Sequence, residues 1–244
     1  MMRQMALDLP LRPARGRTDF FVAPSNAAAL AAVDGWRGWP QGRLVLTGPA
    51  GSGKTHLAEV WRATMTGAAV LTAAALRAGD VPGLAAAGAV VVEDADRAAG
   101  QAAAEAALFH LLNLAAAEGA AVLVTGRGAV QGWGLALPDL ESRLVAAASA
   151  RIEAPDEGLM AAVMVKLFAD RQVEVTPAAV EAAVARLDRD LAAVGALVAA
   201  VDRLALAERR AVTRGLVLRV LDSRGRPGED ARDPAPEGPG TDMP

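Results

Sequence analysis

Residues 44–57 read LVLTGPAGSGKTHL, an apolar β-type run that breaks into glycines and resumes as a helix-forming pattern. Gly48, Gly53, Lys54 and Thr55 satisfy the spacing G-x-x-x-x-G-K-[ST], that of a loop built to cradle phosphate. Glycines let backbone N–H groups curl around phosphate oxygens, and the helix that follows adds the positive end of its dipole. The expected nucleotide-contacting stretch is therefore Gly48, Pro49, Ala50, Gly51, Ser52, Gly53, Lys54, Thr55 and His56, with the Thr55 hydroxyl as a Mg²⁺ ligand. Composition sharpens the assignment. Of 25 basic residues only Lys54 and Lys166 are lysines. One of the two stands where a compact ammonium must reach β- and γ-phosphates, a task a planar guanidinium performs poorly.

Working outward, RLVLTG (43–48), AVVVED (89–94) and AVLVTG (121–126) are short β-rich runs. Ala/Leu-rich segments with helical character, such as 55–65 and 101–117, lie between them. Strands alternating with helices predict an α/β fold with a parallel sheet. A phosphate-binding loop in such a fold needs an acid at the end of a second strand to hold Mg²⁺ and polarise water. Glu93 and Asp94 supply it, and the frame can be set two ways. Either Glu93 is the metal-side acid and Asp94 the base, or Asp94 is the metal-side acid and Ala95 leaves the base position empty. Thr125 closes the third strand, with its hydroxyl expected beside the γ-phosphate.

From 156 to 221 the β signal fades and apolar residues recur at helical spacing, with Thr176 before Pro177 as an N-cap and first-turn pair. The expected organisation is an arm over 1–17, a nucleotide-binding α/β domain over 18–154, a helical lid over 155–222 and a disordered tail over 223–244. A net charge of −3 provides no global basic field for nucleic acid or anionic membrane. The absence of cysteine excludes disulfides and thiolate metal sites and fits a reducing cytosol. No apolar stretch approaches the ~18 residues of a membrane span, so a cytoplasmic location is expected.

The combination of TDFFVAPSN, GPAGSGKTHL, VVVEDAD, VLVTGR, LPDLESRL and LDRDL resembles the AAA+ module of the DnaA family of bacterial replication initiators. The likeness runs from about residue 18 to 221. It is nearest to the short Hda-type paralogues that lack the DNA-binding domain. The resemblance implies a P-loop AAA+ sheet followed by a helical lid, ADP or ATP with Mg²⁺ as cofactor, and self-association as an option. It implies that Phe21 and Val22 line the base pocket and that Arg189 is a phosphate sensor reaching from the lid. It also implies that Arg143 is an arginine finger acting in trans on nucleotide held by a neighbouring subunit. Such a finger contributes about 10³–10⁵ in rate to phosphoryl transfer.

Two departures stand out. Glu93-Asp94 replaces the family's Asp-Asp, which implies weak intrinsic hydrolysis, and TGRGAV replaces its TGDRPP-like loop. Neither touches Arg143. Near the start, Gln4, Met5, Leu7 and Leu9 fit the Gln-x-x-Leu-x-Leu peptide with which Hda-type proteins bind the sliding clamp, with Asp8 a mild departure. The implied function is negative regulation of replication initiation: the chain binds the clamp and stimulates ATP hydrolysis by DnaA. Direct sequence-specific DNA binding is not expected, because the tail carries five acids against three arginines. The alternatives are an autonomous ATPase such as a helicase loader, and a DNA-binding transcription regulator.

Overall fold

A computed structural model of the protein describes residues 20–224. Gln4, Met5, Leu7 and Leu9 lie outside the described residues. Three apolar runs form the central strands: β1 (Arg43–Thr47), β3 (Ala89–Glu93) and β4 (Ala121–Gly126). Their residues are buried almost without break, as strands covered on both faces require. Two further strands, β2 (Ala69–Thr72) and β5 (Ala148–Arg151), complete a parallel sheet in the order β2-β3-β4-β1-β5. Both are edge strands, half-buried and short, and β5 reads Ala-Ser-Ala-Arg, so neither carries the unbroken β-branched pattern of the other three.

Helices cover both faces, and side chains alternate between them along each strand. Val45, Val90, Val92, Val122 and Val124 face one layer, in which α4 (Ala102–Glu118) contributes Leu108, Leu111 and Leu112. Leu44, Leu46, Val91 and Leu123 face the other, built on α1 (Ala27–Asp34) and α2 (Lys54–Arg62). Here Trp61 stacks on Trp39 with ring centroids 5.2 Å apart. The remaining α-helices of the α/β part, among the described residues, are α3 (Val81–Ala86) and α5 (Pro138–Val145).

The C-terminal part is helical: α6 (Glu157–Ala169), α7 (Pro177–Val184), α8 (Leu191–Glu208) and α9 (Arg214–Arg224). Met160, Met164, Phe168, Val194, Leu197 and Val217 form its separate core. Asp156 and Asp190 cap α6 and α8 by accepting backbone N–H bonds. Thr176 does stand before Pro177 at the start of α7, but its side chain makes no capping bond. No helix of the described residues is long and apolar enough to cross a membrane.

One buried carboxylate ties the α/β part together in a way the sequence did not advertise. Glu105, on α4, is 1% exposed. Its Oε1 accepts from the N–H groups of Gly100 (2.8 Å) and Ala136 (3.1 Å), and its Oε2 from that of Leu137 (2.8 Å). Leu137 immediately precedes α5, so Glu105 anchors the entry to that helix. Glu105→Ala strands three backbone donors and is expected to lower stability by about 2–4 kcal/mol. Urea denaturation checks this, and a loss below about 0.5 kcal/mol, the size of an ordinary surface change, would remove Glu105 from that role.

Candidate nucleotide site

The loop after β1 folds as its glycines dictate. A Cβ on Gly48 would lie 2.4 Å from the Ile152 carbonyl oxygen, so the backbone there has no room for a side chain. Gly51 takes the left-handed conformation (φ 63°), and a Cβ on it would fall 1.7 Å from Asp190 Oδ1. The P-loop and the start of α8 are in contact here, and the Leu191 N–H donates to the Gly51 carbonyl (2.9 Å). Lys54 opens α2 and is 8% exposed. Its Nζ donates to the carbonyls of Gly48 (2.8 Å) and Pro49 (2.7 Å). Burial pushes the Lys54 ammonium below its usual pKa, and Arg127 pushes it further down, while Asp94 and Asp96 act in the opposite sense. Ser52 is buried, and its Oγ has no hydrogen-bond partner among the described residues. A buried orphan hydroxyl and a desolvated ammonium within one glycine loop fit a phosphate group.

Parallel register brings the acids to the same edge. Leu46 of β1 pairs with Thr125 of β4, and Val124 pairs with Val92 of β3. Asp94, just past β3, is left-handed (φ 52°, ψ 47°), a conformation Asp tolerates better than Glu. Its N–H donates to the buried Thr125 Oγ1 at 3.2 Å. Asp94 also lies near Arg97, Oδ2 to Nε 3.7 Å.

A cavity of about 500 Å³ opens between this edge and the helical part. Ser52, Lys54, Thr55 and Asp94 line its charged end, while Phe21, Val163, Leu167 and Leu191 supply apolar surface. Phe21 is held by Asn26, whose Nδ2 donates to the Phe21 carbonyl (2.9 Å) and whose Oδ1 accepts from the Ala23 N–H (2.9 Å). His56 also lines the cavity and meets Phe20 edge-on at 5.3 Å. The sequence reading missed Arg127, Lys166 and Asp170, which line the cavity too. Lys166 Nζ bonds Asp170 Oδ1 at 3.0 Å across one helical turn, a spacing legible as Lys-x-x-x-Asp.

Several expected residues stand elsewhere. Val22 is 62% exposed and does not line the cavity. Glu93, Thr125 and Arg189 do not line it either. Glu93 pairs in register with Thr72 of β2, Thr125 Oγ1 accepts from the Asp94 N–H, and Arg189 is exposed beside the capping Asp190. Arg143 belongs to a second cavity of about 330 Å³, shared with Arg43, the first residue of β1. The P-loop leaves the other end of β1, about 13 Å away at ~3.3 Å per residue. Arg143 lies over the Phe109 ring at 5.0 Å. Burial, and after it the charge of Arg143, holds Arg43 below the usual arginine pKa.

No protein-family model matches the chain, and no curated protein matches it. Solved structures do. Domain III of the Thermotoga maritima replication initiation protein DnaA is 18% identical with a TM-score of 0.76, covering 88% of this chain and 98% of that one. The fold is that of an AAA+ P-loop domain. DnaA bound to AMPPCP and single-stranded DNA superposes with a TM-score of 0.65 at 15% identity, over 82% of this chain and 70% of that one. The Thermotoga maritima RuvB Holliday junction branch migration motor gives 0.62 at 19% identity, over 82% and 66%.

Contact between Gly51 and Asp190 makes a checkable demand. Gly51→Ala introduces both positive-φ strain and a clash, and is expected to destabilise the protein by more than about 1 kcal/mol. Hydrogen exchange at the Leu191 amide, which bonds the Gly51 carbonyl, should accelerate. Unaltered protection at Leu191 would mean that the P-loop does not hold α8.

Proposed function

We propose that the chain is a DnaA-like AAA+ regulator of the Hda type. In this reading it binds adenine nucleotide, engages the sliding clamp through Gln4, Met5, Leu7 and Leu9, and drives ATP hydrolysis on DnaA with Arg143. The observation that carries the reading is the separation of the two cationic sites. Lys54 and Arg143 lie at opposite ends of β1. That separation supports a role for Arg143 on nucleotide held by another subunit rather than on its own P-loop.

The chain's own residues divide the work of holding nucleotide. Backbone N–H groups of the P-loop and Lys54 take the phosphates, and Phe21 with Leu167 and Leu191 offers apolar surface to the base. Thr55 and Asp94 are the ligands proposed for Mg²⁺. Asp94 is preferred to Glu93 because it lines the cavity and Glu93 does not. That frame leaves the buried Ala95 where a water-polarising base would stand, so intrinsic turnover is proposed to be slow. Bound nucleotide with Mg²⁺ supplies the anionic charge that the loop reads. A sensor role for Arg189 requires its exposed side chain to turn into the cavity.

Arg143 is only partly solvated and rests on Phe109, which limits the freedom lost when it meets a phosphate. The clamp peptide acts as a tether, raising the effective concentration of Arg143 near DnaA only where a clamp is loaded. The alternative reading, an autonomous AAA+ ATPase such as a helicase loader, predicts hydrolysis that needs neither clamp nor DnaA.

A single assay separates these readings: ATP-bound DnaA, clamp loaded on DNA, and the purified chain. Arg143→Ala is expected to remove stimulation almost entirely, given the ~10³-fold or greater contribution of a trans arginine. Stimulation that survives this substitution would sink the proposal. Gln4→Ala should abolish clamp binding in a pull-down on immobilised clamp while leaving nucleotide binding intact. Retained clamp binding would free the arm from this role. Robust hydrolysis by the chain alone would favour the autonomous ATPase.

A further inference from the structure

The cavity of about 330 Å³ at the start of β1 holds a buried cation with no counter-charge. Arg43, the first residue of the strand, is 4% exposed. Its Nη2 donates to the Leu112 carbonyl at 2.9 Å. Leu112 lies within α4, so that carbonyl also serves the helix's own ladder. Arg43 Nε is buried and has no hydrogen-bond partner among the described residues. Buried charges are ordinarily paired with an opposite charge. The charge that acts on Arg43 is instead another cation, Arg143. Arg143 rests on the Phe109 ring and forms no hydrogen bond or ion pair with another described residue.

Gln41, Asp139 and Ser142 supply the other polar groups of the wall. The chain enters β1 through two left-handed residues, Gln41 (φ 52°) and Gly42 (φ 69°). A Cβ on Gly42 would stand 2.8 Å from the Ala120 carbonyl oxygen, so this turn is pinned against the approach to β4. Asp139, Ser142 and Arg143 share α5, with Asp139 and Arg143 one helical turn apart. Two guanidinium groups against one carboxylate leave positive charge uncompensated in the cavity. A ligand that answers this set brings anionic oxygens for the arginines and a proton for Asp139. Phosphate at neutral pH has both, whereas an ionised carboxylate or sulfate has no proton to give.

We propose that this cavity is a binding site for inorganic phosphate, built on Arg43 and Arg143 at the end of β1 away from the P-loop. Arg43 is its fixed floor, since its backbone is paired with Val122 of β4. Arg143 meets the ligand from α5, and Asp139 accepts the phosphate O–H. The site stands apart from the Hda-type reading, but one consequence rests on it. Phosphate is a product of ATP hydrolysis, so an occupied cavity keeps Arg143 from another subunit's nucleotide and damps stimulation as product accumulates.

The test follows the arginine Nε–H resonances of the full chain, assigned through bond, during titration with sodium phosphate against sodium chloride at matched ionic strength. The Arg43 and Arg143 signals are expected to shift along a saturating curve with a dissociation constant on the order of 1 mM. Arg143→Ala should weaken phosphate about tenfold or more, the size of one charge-assisted contact. Sulfate should bind the unsubstituted chain at least about threefold more weakly than phosphate, and Asp139→Asn should erase that preference. Melting curves verify that both variants stay folded, and neither touches the buried Arg43 side chain's bond to Leu112. A response no larger than chloride's, or Arg43 shifts that survive Arg143→Ala at full strength, overturns the site. Equal sulfate binding overturns its assignment to phosphate. Clamp-dependent stimulation of DnaA that is unchanged at saturating phosphate overturns the consequence and leaves the site standing. Stimulation that survives Arg143→Ala overturns the Hda-type reading alone.

Discussion

Parallel pairing of β1 with β4 and of β4 with β3 sends three chain segments out of the sheet at one edge, in register. The P-loop after Thr47, the acid after Glu93 and the Arg127 loop after Gly126 meet there because Leu46 stands opposite Thr125 and Val124 opposite Val92. A slip of one residue in any of these pairings turns valines that face one helical layer toward the other. The dense valine and leucine layers on both faces therefore fix the register. Side-chain bonds then trim the edge: Thr125 to the Asp94 amide, Asp96 to the Arg127 amide.

Electrostatically, that edge is built at a cost. Lys54 is desolvated and repelled by Arg127, and its ammonium is satisfied by two backbone carbonyls. Ser52 contributes a buried hydroxyl that finds no partner among the described residues. Polar groups left short of partners in an otherwise well-packed protein point to chemistry. Under the proposed reading, nucleotide phosphates supply what the loop lacks.

The opposite edge has a different logic. Arg143 is mounted by α4, on which Glu105 and Phe109 stand one turn apart. The first anchors the entry to α5, and the second supports the guanidinium at the end of that helix. The two cationic sites are thus held near opposite ends of β1. The helical part meets the P-loop through Gly51 and Leu191. The start of α8 is thereby tied to the phosphate loop.

Local chemistry made much of this legible before any fold was known. The glycine spacing around Lys54, the three apolar runs and the acids after the second of them are properties of short segments, and the central strands lie within a residue of where those runs predicted them. Edge strands β2 and β5 escaped because a half-buried strand needs little β-branched character. Glu105, Arg127 and the Lys166–Asp170 pair escaped because a charge in a sequence looks solvated until packing shows what surrounds it. The choice between Glu93 and Asp94 could not be made from two adjacent acids. The structure shows which of them lines the cavity: Asp94, left-handed just past β3, does, and Glu93 does not. Sequence by itself determined the phosphate loop and the strand-helix alternation, since both depend on neighbours along the chain. Only the tertiary structure decided which charges share a cavity and which face away, because that depends on strand order and register, set by contacts between residues far apart in the chain.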